Sequence, residues 1–507
     1  MTEQLSTDVL ICGAGAAGLT LAIDLARRGV AFRLVEKMNE PFRGSRGKGI
    51  QPRTQEIFKD LGILDRIVAA GGDYPKERLY RSDGSYVDSR ITEHVDPTPS
   101  EPFQQPLMVP QFLTEAILRE RLAEFGHWPE YGTEVIGLEQ DGDGVTASLQ
   151  RKGVTEHLRA RWLVGADGGR SFVRHSLQVG FPGKTLGVRA IVADVALTGL
   201  SRDAWHRFGD GDMSRQIFLC PLAGTDMFQI QGPIPMEGDI DLSATGLGQL
   251  VAERTGRDDI HIHDVSWASA YTMNARLADQ YRVGQVMLIG DAAHIHPPTG
   301  GQGLNTSVQD AYNLGWKIAA VIDGAPEVLL DSYEEERRPI AAEMLGLATR
   351  LLHTQHRDGI RRGREVKQLD IAYSGSSLAL EVPARNGELF AGDRAPDAHL
   401  LGASGQPRHL FDLLQGPHWT LIGYQVAHRD GVPPRRGLHI HTFGTRGDVI
   451  DAHGHFRAAY DVEEGSWVLI RPDGYIGAIV EEASTELLED YLTRAGLPAT
   501  SATPATH

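Results

Sequence analysis

Only two cysteines, Cys12 and Cys220, occur in 507 residues. They stand far apart in apolar surroundings, so no disulfide framework, CxxC pair or thiolate metal site can be assembled from them. No apolar run reaches 18 residues, and the opening Met-Thr-Glu-Gln lacks the basic segment of a signal peptide. Excess positive charge is missing too. The formal net charge is −17, which works against nucleic acid or an anionic membrane as a partner. These absences point to a cytoplasmic protein with two reduced thiols. The rest of the composition, 41% hydrophobic and 23% charged, is that of a globular chain long enough for two to four domains.

What is present begins with Asp8-Val9-Leu10-Ile11-Cys12, a buried strand running into Gly13-Ala14-Gly15-Ala16-Ala17-Gly18. A helix follows, then a second strand, Ala31 to Val35, with Glu36 at its end. That is a dinucleotide fingerprint. Gly13 allows the tight turn, Gly15 lets backbone approach a pyrophosphate, Gly18 allows close helix packing, and Glu36 is placed for ribose hydroxyls. The acid suits an unphosphorylated ribose, so FAD or NAD is expected over NADP at this turn.

Two further stretches carry chemistry. Arg161 to Ala166 is an apolar strand ending in Asp167-Gly168-Gly169-Arg170, with Arg174 on the next helical turn. Val286 to Ile289 is another, leading into Gly290-Asp291-Ala-Ala-His294-Ile-His296-Pro-Pro298 and Gly300 to Asn305. The helix behind that loop places Val308, Ala311, Gly315 and Ile318 on one face. Its N-terminus exposes backbone N–H groups to an anion or a polarised oxygen. Between the first two stretches lies a basic glycine-rich loop from Pro41 to Arg53, with Arg46, Gly47 and Lys48. The histidine pairs 261/263, 294/296 and 439/441 have no third ligand at metal spacing, so no metal site is expected.

The Gly13, Asp167 and Gly290 motifs, in this order and at these separations, resemble those of the single-component (class A) flavoprotein aromatic hydroxylases. That family includes the para-hydroxybenzoate, phenol and polyketide hydroxylases, and the likeness spans roughly residues 5–395. It implies an α/β fold: a Rossmann-type FAD domain of the glutathione-reductase kind (1–175 and 276–395) and an inserted substrate-covering sheet (176–275). A thioredoxin-like C-terminal domain without CxxC (396–498) and a short tail (499–507) complete the expected chain.

The resemblance places FAD against Gly13, Ala14, Gly15, Ala16, Ala17, Gly18, Glu36 and Lys37 at its ADP half. Arg46, Gly47, Gln111, Arg119, Val135, Asp167 and Gly168 join them, as do Gly290, Asp291, Pro298, Gly301, Gly303, Leu304 and Asn305 beside the ring and ribityl chain. Arg46, His294, His296 and Pro298 are the catalytic candidates. Trp205, His206, Gln216, Gln229 and Tyr271 are candidates for the substrate face. The implied reaction is reduction of FAD by transient NADPH or NADH, then hydroxylation of a phenolic or polyketide-type aromatic by a flavin C4a-hydroperoxide formed with O2. The same motifs also suit Baeyer–Villiger insertion or epoxidation. A dehydrogenase without oxygenation and a flavin-binding protein without turnover are the readings from other classes. A monomer or a homodimer fits the sequence.

Overall fold

The structure is a computed structural model and describes residues 5–209, 213–297, 300–358, 362–428, 431–444 and 447–499. Pro298 and tail residues 500–507 lie outside the described residues. Among the described residues the strands assemble into three eight-stranded sheets and one three-stranded sheet.

The first sheet is built on parallel strands. Leu5–Cys12 lies between Phe32–Glu36 and Val154–Gly165, and the last of these pairs with Val286–Leu288. Their central residues, including Leu10, Ile11, Leu163, Val164 and Met287, are buried on both faces, which is why they read as unbroken apolar runs. All four strands therefore end on the same side, and each ends in one of the chemistry-bearing segments. The hairpin of Thr133–Asp141 and Gly144–Arg151 extends this sheet, as its Asp-Gly turn predicts.

The second sheet is mainly antiparallel, with Gly183–Thr198 paired to His261–Leu277 on one side and Phe228–Ile234 on the other. It reaches beyond the expected 176–275. The hairpin Lys76–Tyr80/Tyr86–Ser89 joins its edge through a parallel pairing of Lys76–Tyr80 with Ala204–Phe208. One face carries Ile191, Ala193, Val195, Ile217, Leu219, Phe228 and Ile230, packed on Leu247 and Val251 of the helix Ala244–Thr255. The alternate residues point the other way, and among them Gln229 reaches Ser45 and Lys48.

The third sheet is mixed. Trp419–Tyr424 runs parallel to Leu438–Phe443 and antiparallel to Ser466–Ile470, which continues into Ile476–Glu481. A parallel pair flanked by an antiparallel hairpin agrees with a thioredoxin-like arrangement. An edge strand from Leu380–Val382 is added ahead of residue 396. The helix Asp331–Asp358 carries Pro339 inside it. Buried Tyr333, Glu336, Arg337 and Ile340 pack that face, and tertiary contact of this kind outweighs one missing backbone donor.

A buried ionic lock joins the C-terminal unit to the rest. Arg471 donates to both oxygens of Glu336 at 2.6 and 2.8 Å, and Lys317 Nζ reaches Glu336 at 2.7 Å. Asp473 accepts from Trp316 Nε1 at 3.0 Å and, through its backbone oxygen, from Arg53 at 2.6 Å. Arg53 and Arg394 share Glu56.

Candidate active site

The three motifs meet beyond the carboxyl ends of the parallel strands, the usual crevice position for a ligand in an open α/β sheet. The first wall is the Gly13 turn. A Cβ on Gly13, whose φ is +107°, would stand 2.3 Å from the Ala166 carbonyl oxygen. A Cβ on Gly18 would stand 2.0 Å from the Gly13 oxygen, so both positions exclude a side chain. Gly15 differs: the nearest atom its Cβ would meet is a Glu115 carboxylate oxygen at 3.8 Å, so this backbone is open to a ligand. Glu36 accepts from the Ala14 and Met38 N–H groups, both at 2.9 Å, which ties the second strand end to the turn. Lys37 is exposed beside it.

The second wall is the Asp167 turn. Asp167 Oδ2 accepts from Val173 N–H at 3.0 Å, while Oδ1 is buried without a hydrogen-bond partner. Gly168 takes a φ of +80°. Arg174 donates to the Gly169 carbonyl at 3.0 Å and to the Ala292 carbonyl at 2.8 Å, which joins the Asp167 and Gly290 segments physically.

The third wall is the Gly290 loop. Gly290 packs on Ala17 and Ser307, so the first and third motifs touch. Asp291 is exposed at the crevice. The protein packed round it pushes its carboxyl up, against the pull of His294 and Arg46. The helix Gly303–Ile322 starts with no side-chain cap and no acid in its first turn, leaving the N–H groups of Gly303, Leu304 and Asn305 available to an anion. Asn305's side chain is taken by backbone: it accepts from Gln51 N–H at 2.9 Å and donates to the Gly49 and Gly301 oxygens at 2.8 and 2.6 Å. It fastens the basic loop to the glycine loop, and only its main chain is free for a ligand.

Of the remaining cofactor candidates, Gln111 accepts from Arg46 N–H at 3.1 Å and donates to Glu115 at 2.8 Å. Its own N–H reaches the Gly47 oxygen at 3.0 Å. Burial raises the Glu115 carboxyl, against the pull of Gln111 and Arg119. Arg119 Nη1 is buried and unpartnered. Arg46 is exposed, with its guanidinium over the Phe42 ring. Val135 is buried in the strand pairing with Leu149.

His294 is not on the open side of the loop. His294 Nε2 meets Asp310 at 2.6 Å, and the same carboxylate accepts from Gly290 N–H and Arg337 Nε. Burial lowers His296 to about 3, so its ring is neutral at ordinary pH, stacked edge-on against His294. His294 thus supports the loop from behind, while both His296 ring nitrogens are buried without a hydrogen-bond partner.

The five substrate-face candidates divide by strand parity. Trp205, Gln216 and Gln229 are buried on the inner face, and Tyr271 shares it, its phenol pushed up to about 12 by burial. His206 is on the opposite face, its ring nitrogens engaged by Tyr80 Oη at 2.9 Å and the Ser201 oxygen at 2.8 Å. That placement takes it out of the cofactor-facing set. Gln229 is a hub: it donates to the Ser45 carbonyl at 2.6 Å and to Asp194 at 3.1 Å, and accepts from Lys48 at 2.7 Å. Burial raises Asp194 to about 6.

Sequence reasoning missed Trp267, Asp310 and Arg337. Trp267 lies so close to Gly44 that a Cβ there would be 2.2 Å from its ring, which makes Gly44 the contact point between second sheet and basic loop. Asp310 could have been found as an acid inside an otherwise apolar helix stripe. Nothing local marks Trp267.

A family model described as "FAD binding domain" matches residues 6–348. The chain belongs to this family, and it is an FAD-dependent monooxygenase. A curated protein from Mycobacteroides abscessus named "Flavin-dependent monooxygenase" is 43% identical over 496 residues, covering 96% of this chain and 99% of that protein. A Streptomyces rimosus protein named "12-dehydrotetracycline 5-monooxygenase/anhydrotetracycline 6-monooxygenase" is 33% identical over 522 residues, covering 96% and 98%. Among solved structures, a ternary complex of aklavinone-11 hydroxylase with FAD and aklavinone is similar at 26% identity and a TM-score of 0.82, covering 98% of this chain and 99% of that one. The residues of the crevice fit FAD on their own terms: an open Gly15 backbone, unpartnered Asp167 Oδ1 and Arg119 Nη1, and an uncapped helix N-terminus. Among the described residues no helix is long and apolar enough to cross a membrane.

Proposed function

We propose that this monooxygenase hydroxylates a phenolic or polyketide-type aromatic, held between the crevice and the inner face of the second sheet. The observation that carries this is the seating of that face on the basic loop. Trp267 presses on Gly44, and Gln229 grips Ser45 and Lys48, so the sheet roofs the loop joined through Asn305 to the glycine turns. One relative is named for 12-dehydrotetracycline and anhydrotetracycline and the similar hydroxylase structure holds aklavinone, which supports the same substrate class.

When bound, FAD supplies the acceptance of hydride from NADPH or NADH and the transfer of one oxygen atom of O2. The protein's part is binding, orientation and exclusion of water. The Gly13–Gly18 turn and the N-terminus of the following helix would hold the pyrophosphate, with Glu36 toward the ribose and Lys37 beside it. Gln111, Arg119, Val135, Asp167, Gly168 and Asp291 would hold the rest of the cofactor. Arg46, Gly47, Gly301 and the amides of Gly303 to Asn305 would hold the ring, where a helix N-terminus favours negative charge. Trp205, Gln216, Gln229 and Tyr271 close the substrate side against water. The nicotinamide cofactor visits without a domain of its own. The enzyme works in the cytoplasm, as a monomer or homodimer.

The test is NAD(P)H oxidation by flavin-loaded protein against a panel of phenols and polyketide aromatics. Acceleration by at least one, with a hydroxylated product, supports the proposal; turnover that no aromatic accelerates refutes it. Asp291→Ala is expected to purify with less flavin, and full occupancy in that variant counts against the carboxylate's role.

A further inference from the structure

Two cations meet on one tryptophan of the inner face. Lys48 Nζ sits 4.2 Å from the centre of the Trp205 ring and makes its hydrogen bond to Gln229 Oε1. The Arg362 guanidinium lies 6.0 Å from that ring and 4.9 Å from the Tyr74 ring. Its Nε and Nη1 are buried and have no hydrogen-bond partner. Its main chain is fixed, with N–H donating to the Ile91 carbonyl at 3.0 Å.

The countercharge is short. Asp194 reaches Lys48 only across Gln229. Cys220 lies next to Lys48, but burial raises its thiol despite Lys48 and Arg362, so it remains neutral. Glu77 is engaged with Arg207. Burial lowers the Lys48 ammonium, and Arg362 lowers it further. Among the described residues this patch therefore carries two cations against one carboxylate. Buried donors without an acceptor are costly to keep, and the unused Arg362 Nε and Nη1 are a standing demand for an anion.

The patch also adjoins the place where chemistry occurs. A Cβ on Gly49 would stand 2.4 Å from the Tyr74 hydroxyl, and a Cβ on Gly301 would stand 4.0 Å from Gly49 Cα. Tyr74 and Trp205 have nearly parallel rings 6.3 Å apart, two flat faces next to the cations.

We infer that Lys48 and Arg362 receive an anionic oxygen of the substrate, an ionised phenol or enol, and orient its aromatic ring toward the Gly49–Gly301 side. This rests on the monooxygenase reading of the same face. Paired cations favour the ionised form of a phenol, and the proton is lost to solvent before or during binding. Lys48 and Arg362 are thus specificity residues that select substrates able to ionise.

The probes are 2,4,6-trichlorophenol at pH 8, where it is ionised, and its methyl ether 2,4,6-trichloroanisole, which cannot ionise. Each is titrated into flavin-loaded enzyme and followed by tryptophan fluorescence and flavin absorbance. The phenolate is expected to bind at least tenfold more tightly than the ether. Arg362→Met should abolish that preference, and a methionine there keeps apolar packing on the Tyr74 and Trp205 rings. Lys48→Met provides the same comparison if Arg362→Met does not fold. Equal affinity for the two probes, a preference that survives in both variants, or binding of neither probe overturns the inference. Labelled-oxygen incorporation in the same preparation separates the two levels. An enzyme that oxygenates aromatics but shows no phenolate preference sinks only this inference, whereas one that oxygenates none sinks the reading beneath it.

Discussion

Removing the Asp310 carboxylate tests how the flavin-side loop is held. Its side chain is fully buried and accepts from three donors: Gly290 N–H at 3.1 Å, His294 Nε2 at 2.6 Å and Arg337 Nε at 2.9 Å. Asp310→Ala leaves the Arg337 guanidinium, also fully buried, with only the Tyr373 hydroxyl at 3.2 Å and the Thr306 carbonyl at 3.3 Å. Breaking a buried ion pair costs about 3–5 kcal/mol. The orphaned Gly290 and His294 donors would each add ~1–3 kcal/mol if independent. They share one acceptor and one relaxation, so the terms do not sum, and a total near ~5 kcal/mol is expected. The loss falls on the loop carrying Asp291, so flavin affinity drops along with stability. Denaturant unfolding and the free-flavin fluorescence of dialysed protein measure the two effects. Burial alone would raise the Asp310 carboxyl, but His294 and Arg337 outweigh it and hold the group below its ordinary value. Its contribution is therefore present above the unfolded value of about 4 and is lost as pH falls through the lowered folded value. The wild type should lose this stability in acid, and the variant should have none there to lose. A variant within about 1 kcal/mol of wild type at pH 7, with full flavin retention, would refute the reasoning.

Other substitutions have equally direct outcomes. Gly13→Ala places a Cβ 2.3 Å from the Ala166 oxygen at a φ of +107°, so the protein should purify with little flavin, read from its visible absorbance. Asp194→Asn removes a carboxyl that burial raises to about 6. The raised value opposes folding as pH climbs past about 4, so the variant should gain on the order of 3 kcal/mol at pH 7.5 and almost nothing at pH 4, by denaturant unfolding at both. Glu336→Ala leaves Arg471 and Lys317 sharing the ionic lock without their common acceptor. It should cost ~3–5 kcal/mol and speed proteolysis within the C-terminal unit, whereas unchanged proteolysis would show the lock to be dispensable.

The parts legible in the sequence are those where one local segment carries its own geometric reason. The Gly13, Asp167 and Gly290 segments each follow an apolar strand, and the structure lines those strands up in one parallel sheet. The helix starting at Gly303 was readable from its apolar stripe and its glycine-rich approach. Side-chain direction was not legible in the second sheet. Trp205 and His206 are neighbours in sequence, yet strand alternation sends one toward the crevice and the other, fully paired, away from it. Non-local pairings were hidden as well. Nothing in Lys76–Tyr80 announces that it will pair with Ala204–Phe208, and nothing near Gly44 announces Trp267. Asp310 and Arg337 lie 27 residues apart on separate helices, so their pairing with His294 exists only once those helices pack.

The central claim is that this crevice and its roof place one atom of molecular oxygen on an aromatic substrate. The most direct measurement is the mass of product formed from isotopically labelled O2 by flavin-loaded enzyme with NAD(P)H and a panel of phenols and polyketide aromatics. A product carrying one labelled oxygen, formed in step with NAD(P)H consumption, is the expected result. NAD(P)H consumption with no labelled product across the panel would contradict it.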